Sequence, residues 1–278
     1  MTCKNLKENF GLEYDKPNAF VRSQCFPDCV YLLWSAFCFL YHFVWIILEI
    51  YWEITDQTDN KSWFIFLTNW GYLVIFIYFG LDCSFSIYIH CVRKGSVTPS
   101  NSMNLYLKTV WVIFNIMNAS SILITFSYFT FLDANMHARS INKHMINSVF
   151  TVLNIVITDK PVRFWHMWFP ALFAVIYLIF NGVYQKVGDE DPIYPVLDWN
   201  KFGSALEFSL LELLIALPVS HTIVFVFYKL RCCCPRRPHE ESPTYEHFNN
   251  PESPDKQDIH SLELAINPQG MYKTFNKM

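Results

Sequence analysis

The sequence predicts an all-α, polytopic membrane protein: a bundle of six transmembrane helices with a polar interior and both termini in the cytoplasm. Three observations carry this. Hydrophobic residues make up 53% of the 278 and charged ones only 16%, against about 25% charged in a soluble domain. The apolar residues gather in blocks of about 20 or more, the length of helix that crosses a bilayer core. Basic residues cluster between alternate blocks, which sets an orientation.

The blocks fall at residues 29–52, 63–91, 105–130, 141–158, 164–187 and 205–230. The first is too long for the apolar region of a signal peptide and lacks a small-residue cleavage site, so it reads as span one. The second is long enough to tilt or to extend past the interface. The fourth, INKHMINSVFTVLNIVIT, is the most polar. Trp and Tyr mark many block ends, among them Tyr51, Trp52, Trp63, Trp165, Trp168 and Tyr228, as in the aromatic belts of membrane proteins. Pro218 is expected to kink span six.

Six crossings put Lys4, Lys7, Lys16, Arg22, Arg93, Lys94, Lys108, Lys160, Arg163, Lys229, Arg231, Arg236 and Arg237 on the side of the termini. The other side holds Lys61, Arg139, Lys143, Lys186 and Lys201. These thirteen against five make the terminal side cytoplasmic. Without a crossing at 141–158 the C-terminus would lie outside and the rule would fail. Residues 1–28 thus form a cytoplasmic N-terminal segment, 29–230 the transmembrane domain and 231–278 a cytoplasmic tail. The tail is rich in Pro, Glu, Asn and Ser and is expected to be disordered. The host membrane is the plasma membrane or an endomembrane, and the oligomeric state is open.

Net charge of −3 gives no basic field for nucleic acid. No Cys/His spacing suggests a metal site, and no cofactor is expected. Cys232, Cys233 and Cys234 precede Pro235, Arg236 and Arg237. Juxtamembrane cysteines beside basic residues suit S-palmitoylation at an anionic leaflet. The sequon Asn60-Lys61-Ser62 faces outside but lies almost at the membrane, and Asn118-Ala119-Ser120 falls within a span.

Polar residues recur at helical spacing in five spans. Span four carries His144, Asn147, Thr151, Asn154 and Thr158 on one face; span one carries Ser35, Cys38, His42, Trp45 and Glu49. Span two has Thr68, Tyr72, Phe79, Asp82 and Ser86, span three Lys108, Trp111, Asn115, Asn118 and Thr125, and span six Ser209, Glu212, Ala216 and Ser220. Polar groups in hydrocarbon are costly unless they pair inward, so the stripes should line the bundle interior. Most of the Asn, Ser and Thr read as interhelical glue. Asp82 and Lys108 are expected to pair. Thr68 and His144 both lie just inside the outer boundary, Thr68 by roughly 7 Å at 1.5 Å per residue. A hydroxyl with a base in reach is a nucleophile arrangement.

The stretches LTNWGYLVIFIYFGLD, NKHMINSVFTVLN, KPVRFWHMWFPALFAVIYLIFNGVYQ and IYPVLDW resemble the rolling stone family of multi-pass membrane proteins. The likeness spans roughly residues 28–230. It implies a role in cell–cell, and specifically myoblast, fusion. The family is in turn distantly similar to androgen-induced membrane hydrolases, which cleave fatty acid esters of hydroxy fatty acids with a Thr and a His. That likeness implies Thr68 as nucleophile, His144 as general base, membrane lipids as partners and a lipid ester as substrate. Here Lys143 and His144 replace the neighbours found in those relatives. Asn69 or Asn147 could donate to the oxyanion; no residue that orients His144 is evident, and Glu49, Asp198, Glu207 and Glu212 are all candidates. Asp198 also suits a capping role. Two functions therefore stand: a threonine hydrolase of lipid esters, or a noncatalytic cell-surface protein supporting fusion. A channel or transporter is a third class, suggested only by the polar interior.

Overall fold

The computed structural model describes residues 9–55, 62–93, 97, 103–132 and 137–235. Its secondary structure there is helical throughout. Helix α1 spans Asp28–Thr55 and α2 Leu67–Ile87, continued by a π-helical turn, Tyr88–Val92. Helix α3 spans Leu105–Phe131. Helix α4 runs through Ala138–Ile141, a π-helical turn Asn142–Ile146, and Asn147–Ile157. Helix α5 is Trp168–Val187. Helix α6 runs through Phe202–Leu211, a π-helical turn Glu212–Ala216, and Leu217–Cys232. The change of register in α6 falls immediately before Pro218. A proline lacks the N–H for the ordinary bond one turn back, so a wider turn there loses nothing.

Five of these helices, with their flanking turns, are long and apolar enough to cross a membrane. They are α1, α2, α3, α5 and α6, and with them the chain is an all-α, multi-pass membrane protein. Helix α4 is the exception, because its inward stripe lowers its hydropathy. It nonetheless packs inside the bundle against α3 and α6.

The bundle is apolar outside and mixed inside, as a bilayer solvent requires. Leu33, Phe37, Leu40, Val44 and Ile47 of α1 step by three and four and are exposed. The opposite face of α1 buries Tyr31, Ser35, Cys38, His42 and Glu49. Helix α5 repeats the pattern, with Leu172, Ile176, Ile179 and Val183 outward and Tyr177, Asn181 and Gln185 inward. Helix α3 is the central element. It touches α2, α4, α5 and α6, and buries Trp111, Phe114, Asn115, Met117 and Asn118. All five stripe residues of α4 are buried.

At the end of the bundle that holds residues 9–27 and 232–235, called here the terminal end, residues 11–26 fold across the helix ends. Arg163 donates to the carbonyls of Gly11 and Glu13, each at 2.6 Å. Asp159 N–H donates to Arg22 O at 2.9 Å. Arg231 caps α4, donating to Ile155 O (2.8 Å), Thr158 O (2.6 Å) and Lys160 O (2.9 Å). Ile155 O is one of the orphan carbonyls that end a helix, and the other two belong to the chain just beyond it.

The expected Asp82–Lys108 pair does not form. Asp82 binds Lys160, 2.6 Å away, and its oxygens lie 2.8 and 2.9 Å from the Tyr31 hydroxyl. Lys108 turns outward to Glu13. The reason is depth: Asp82 is 2% exposed and needs a cation brought inside, whereas Lys108 stays near the surface. The sequon at Asn60 and the tail beyond Pro235 lie outside the described residues.

Candidate functional site

At the opposite end, six segments surround a cavity: the start of α2, the end of α3, the middle of α5, the π turn of α4, the 193–198 loop and the first half of α6. Its empty volume is about 770 Å³, open solvent at its mouth included. Its walls are mainly aliphatic and aromatic, including Leu123, Ile124, Phe131, Leu178 and Phe208. Thr68, Ser127, Tyr128, His144, Tyr177, Tyr194, Ser209 and Glu212 add polar groups. Thr68 and His144, 76 positions apart in sequence, therefore line one chamber.

Thr68 is the second residue of α2. The Tyr194 phenol lies beside it, and the neighbouring Leu67 N–H donates to that phenol at 3.0 Å. Burial pushes the Tyr194 phenol above its ordinary range, so it stays protonated. Its hydroxyl can donate as well as accept. The helix N-terminus beneath Thr68 favours negative charge developing there.

His144 sits on the π turn Asn142–Ile146. Its ring lies flat on Tyr128, with centroids 3.6 Å apart and planes 2° apart. Thr125 Oγ1 donates to the His144 carbonyl. The ring Nδ1 is buried and has no hydrogen-bond partner among the described residues. Such an atom costs free energy and calls for an explanation. Glu212 also sits on a π turn, Glu212–Ala216. Both its oxygens lie 3.0 Å from Ser127 Oγ. Two titratable groups of one cavity thus occur where an α-helix widens, a feature frequent at functional sites.

The other sequence candidates lie elsewhere. Asn69 donates to Trp63 O at 2.7 Å and accepts from Lys143 Nζ at 2.9 Å. Asn147 donates to Lys143 O at 2.8 Å. Neither lines the cavity. Glu49 is buried in an ion-pair cluster with Arg139 (3.2 Å) and Lys143 (2.5 Å), and accepts from Trp63 Nε1. Glu207 is exposed. Asp198 accepts from Asn200 N–H and caps the turn Trp199–Lys201, as its alternative reading had it. Of the four acids considered for His144, Glu212 alone lines the cavity. Tyr194 and Ser127 were not foreseen. Tyr194 stands in IYPVLDW, between a buried isoleucine and a proline, where its role depends on a loop path.

The fold and the cavity define an all-α, multi-pass membrane protein with a threonine hydroxyl and a histidine ring in one apolar chamber. The sequence model described as "Protein rolling stone" matches residues 2–238. The chain belongs to the rolling stone family. It is similar to Protein rolling stone of Drosophila melanogaster, 25% identical over 259 residues that cover 82% of this chain and 90% of the relative. No solved structure matches.

Proposed function

We propose that this chain crosses the membrane six times with both termini cytoplasmic, and that it hydrolyses lipid (fatty acid) esters within the bilayer. Thr68 is the nucleophile and His144 the general base. The observation that supports this reading is the shared cavity: an apolar chamber lined by Thr68 and by His144, whose buried Nδ1 has no hydrogen-bond partner among the described residues.

The chemistry is acyl transfer. His144 takes the Thr68 proton as Oγ1 attacks the ester carbonyl. The Tyr194 O–H, which lies beside Thr68, donates to the oxyanion in place of Asn69 or Asn147. The protonated His144 then gives its proton to the leaving alkoxide, and water attacks the threonyl ester with His144 again as base. The aliphatic walls hold the acyl chain, and water exclusion strengthens each polar contact.

The test is direct. Wild type, Thr68→Ala, Thr68→Ser and His144→Ala are inserted into membranes and assayed for cleavage of branched fatty acid esters and for labelling by a serine/threonine-hydrolase probe. Wild type and Thr68→Ser should cleave; the other two should not. Activity surviving Thr68→Ala would remove this mechanism. A correctly inserted but inactive wild type would remove the enzyme and leave the noncatalytic fusion reading.

A further inference from the structure

The terminal end of the bundle carries a second, unrelated set of reactive groups. Cys29 is the second residue of α1, Cys91 lies in the π turn that ends α2, and Cys232 is the last residue of α6. Cys233 and Cys234 follow it. All five thiols are exposed. Alternate helix ends bring them to one side of the bundle, at the border where apolar helix gives way to polar chain.

The segments holding them are tied together. Gln24 Nε2 donates to Arg231 O and to Cys234 O, each at 3.0 Å. His90 Nε2 lies 2.9 Å from Val21 O. Cys25 is half-buried and near Cys234. Burial, and secondarily Cys234, push the Cys25 thiol up. Lys229 and Arg93 border the group, and Arg236 and Arg237 follow it in sequence.

We propose that these thiols are an S-acylation site, with Cys232, Cys233 and Cys234 modified first and Cys29 and Cys91 also accepting fatty acyl chains. Position decides it. A thiol at the boundary of an apolar helix delivers an attached chain straight into the leaflet, while the adjacent cations hold the backbone at an anionic surface. The donor is a long-chain acyl-coenzyme A. The cysteine sulfur attacks the donor carbonyl, a new carbon–sulfur bond forms, the bond to coenzyme A breaks, and coenzyme A leaves as the thiol with the cysteine's proton. Cys25 is spared, because it is half-buried and its thiol resists ionisation. Each further chain adds about 0.8 kcal/mol per buried methylene. The acylated cysteines therefore hold both ends of the transmembrane domain at one leaflet. The site rests on the cytoplasmic placement of the termini and is independent of hydrolysis.

Acyl exchange on full-length protein in cell membranes tests this. Thioesters are cleaved with hydroxylamine and the freed thiols tagged with a mass label. Wild type should gain two or more hydroxylamine-dependent tags. C232S/C233S/C234S should lose most of them, adding C29S and C91S the rest, and C25S none. Mass spectrometry of wild-type peptides locates the same sites without any variant. An impermeant label should reach the freed thiols only after permeabilisation. Wild type without hydroxylamine-dependent tags, or tags that persist in the fivefold variant at Cys25, overturns the site. Labelling of intact cells overturns its cytoplasmic placement.

Discussion

Two buried sites, one around Lys160 and one around His144, treat polar groups in opposite ways. At the terminal end, Lys160 is fully buried, yet it reaches Asp82 at 2.6 Å and also donates to the Tyr31 hydroxyl. Arg231 covers carbonyls at and just beyond the end of α4. At the cavity end, His144 Nδ1 is buried with no partner among the described residues, and Glu212 meets a single side-chain donor, Ser127. The first arrangement is what structure alone demands of charges out of water. The second leaves capacity unused beside an empty space, which is what a substrate needs. The lesson is that an ionisable residue inside a membrane protein is judged by what remains unsatisfied around it, not by its burial.

Four substitutions break or sharpen that contrast, from the largest effect to the smallest. His144→Ala should lower ester cleavage by about 10² to 10⁴, the usual worth of a general base, or roughly 3–5 kcal/mol of barrier. Its melting temperature in detergent should barely move; an equal loss of folding would make His144 structural like Lys160. Lys160→Met should do the reverse, costing about 3–5 kcal/mol of stability by stranding Asp82. Thermal unfolding reads this, and Lys160→Met/Asp82→Leu should recover most of it. A single variant as stable as wild type would mean that the terminal end is not held by this pair.

Ser127→Ala should cost about 1 kcal/mol, a typical hydrogen bond. Because its partner lines the cavity, the loss should appear in kcat more than in the melting curve. Glu13→Gln should matter least, within about 1 kcal/mol, since the Glu13–Lys108 pair is surface-exposed. The Lys108 side chain holds the Glu13 carboxyl below its ordinary 4.5. Its contribution is therefore complete above pH 4.5 and lost as pH falls through the lower folded value. The pH dependence of unfolding should flatten slightly there in Glu13→Gln.

Much of this was legible in the sequence, and for a single reason. In a membrane the inward stripe must be polar, so the three-and-four spacing of His144, Asn147, Thr151, Asn154 and Thr158 identified the buried face of α4 directly. The same stripe explains why α4 falls short of the apolarity of the other helices. Pairing was less legible. Asp82 chose Lys160, which sits in the connection after α4, over the nearer-seeming Lys108. Only the folded path of residues 158–163 makes that contact available. Glu49, Arg139 and Lys143 likewise neutralise one another at the cavity end, so Glu49 is not a partner for His144. The cavity itself was partly legible. Shared depth placed Thr68 and His144 at one level, whereas Tyr194 arrives from a loop whose course no periodicity encodes.

The π turns carry one more consequence. Each is a helix with one residue too many, and each residue advances an α-helix by about 100°. Deleting a single position within 142–146 would restore ordinary pitch and swing everything on one side of it by that angle. The stripe of α4 would then no longer run straight from His144 to Thr158, and either the cavity or the contact with α3 would be lost. For the packing of this helix, length is more fragile than identity: outside His144, conservative replacements in the turn are tolerable where the loss of one residue is not.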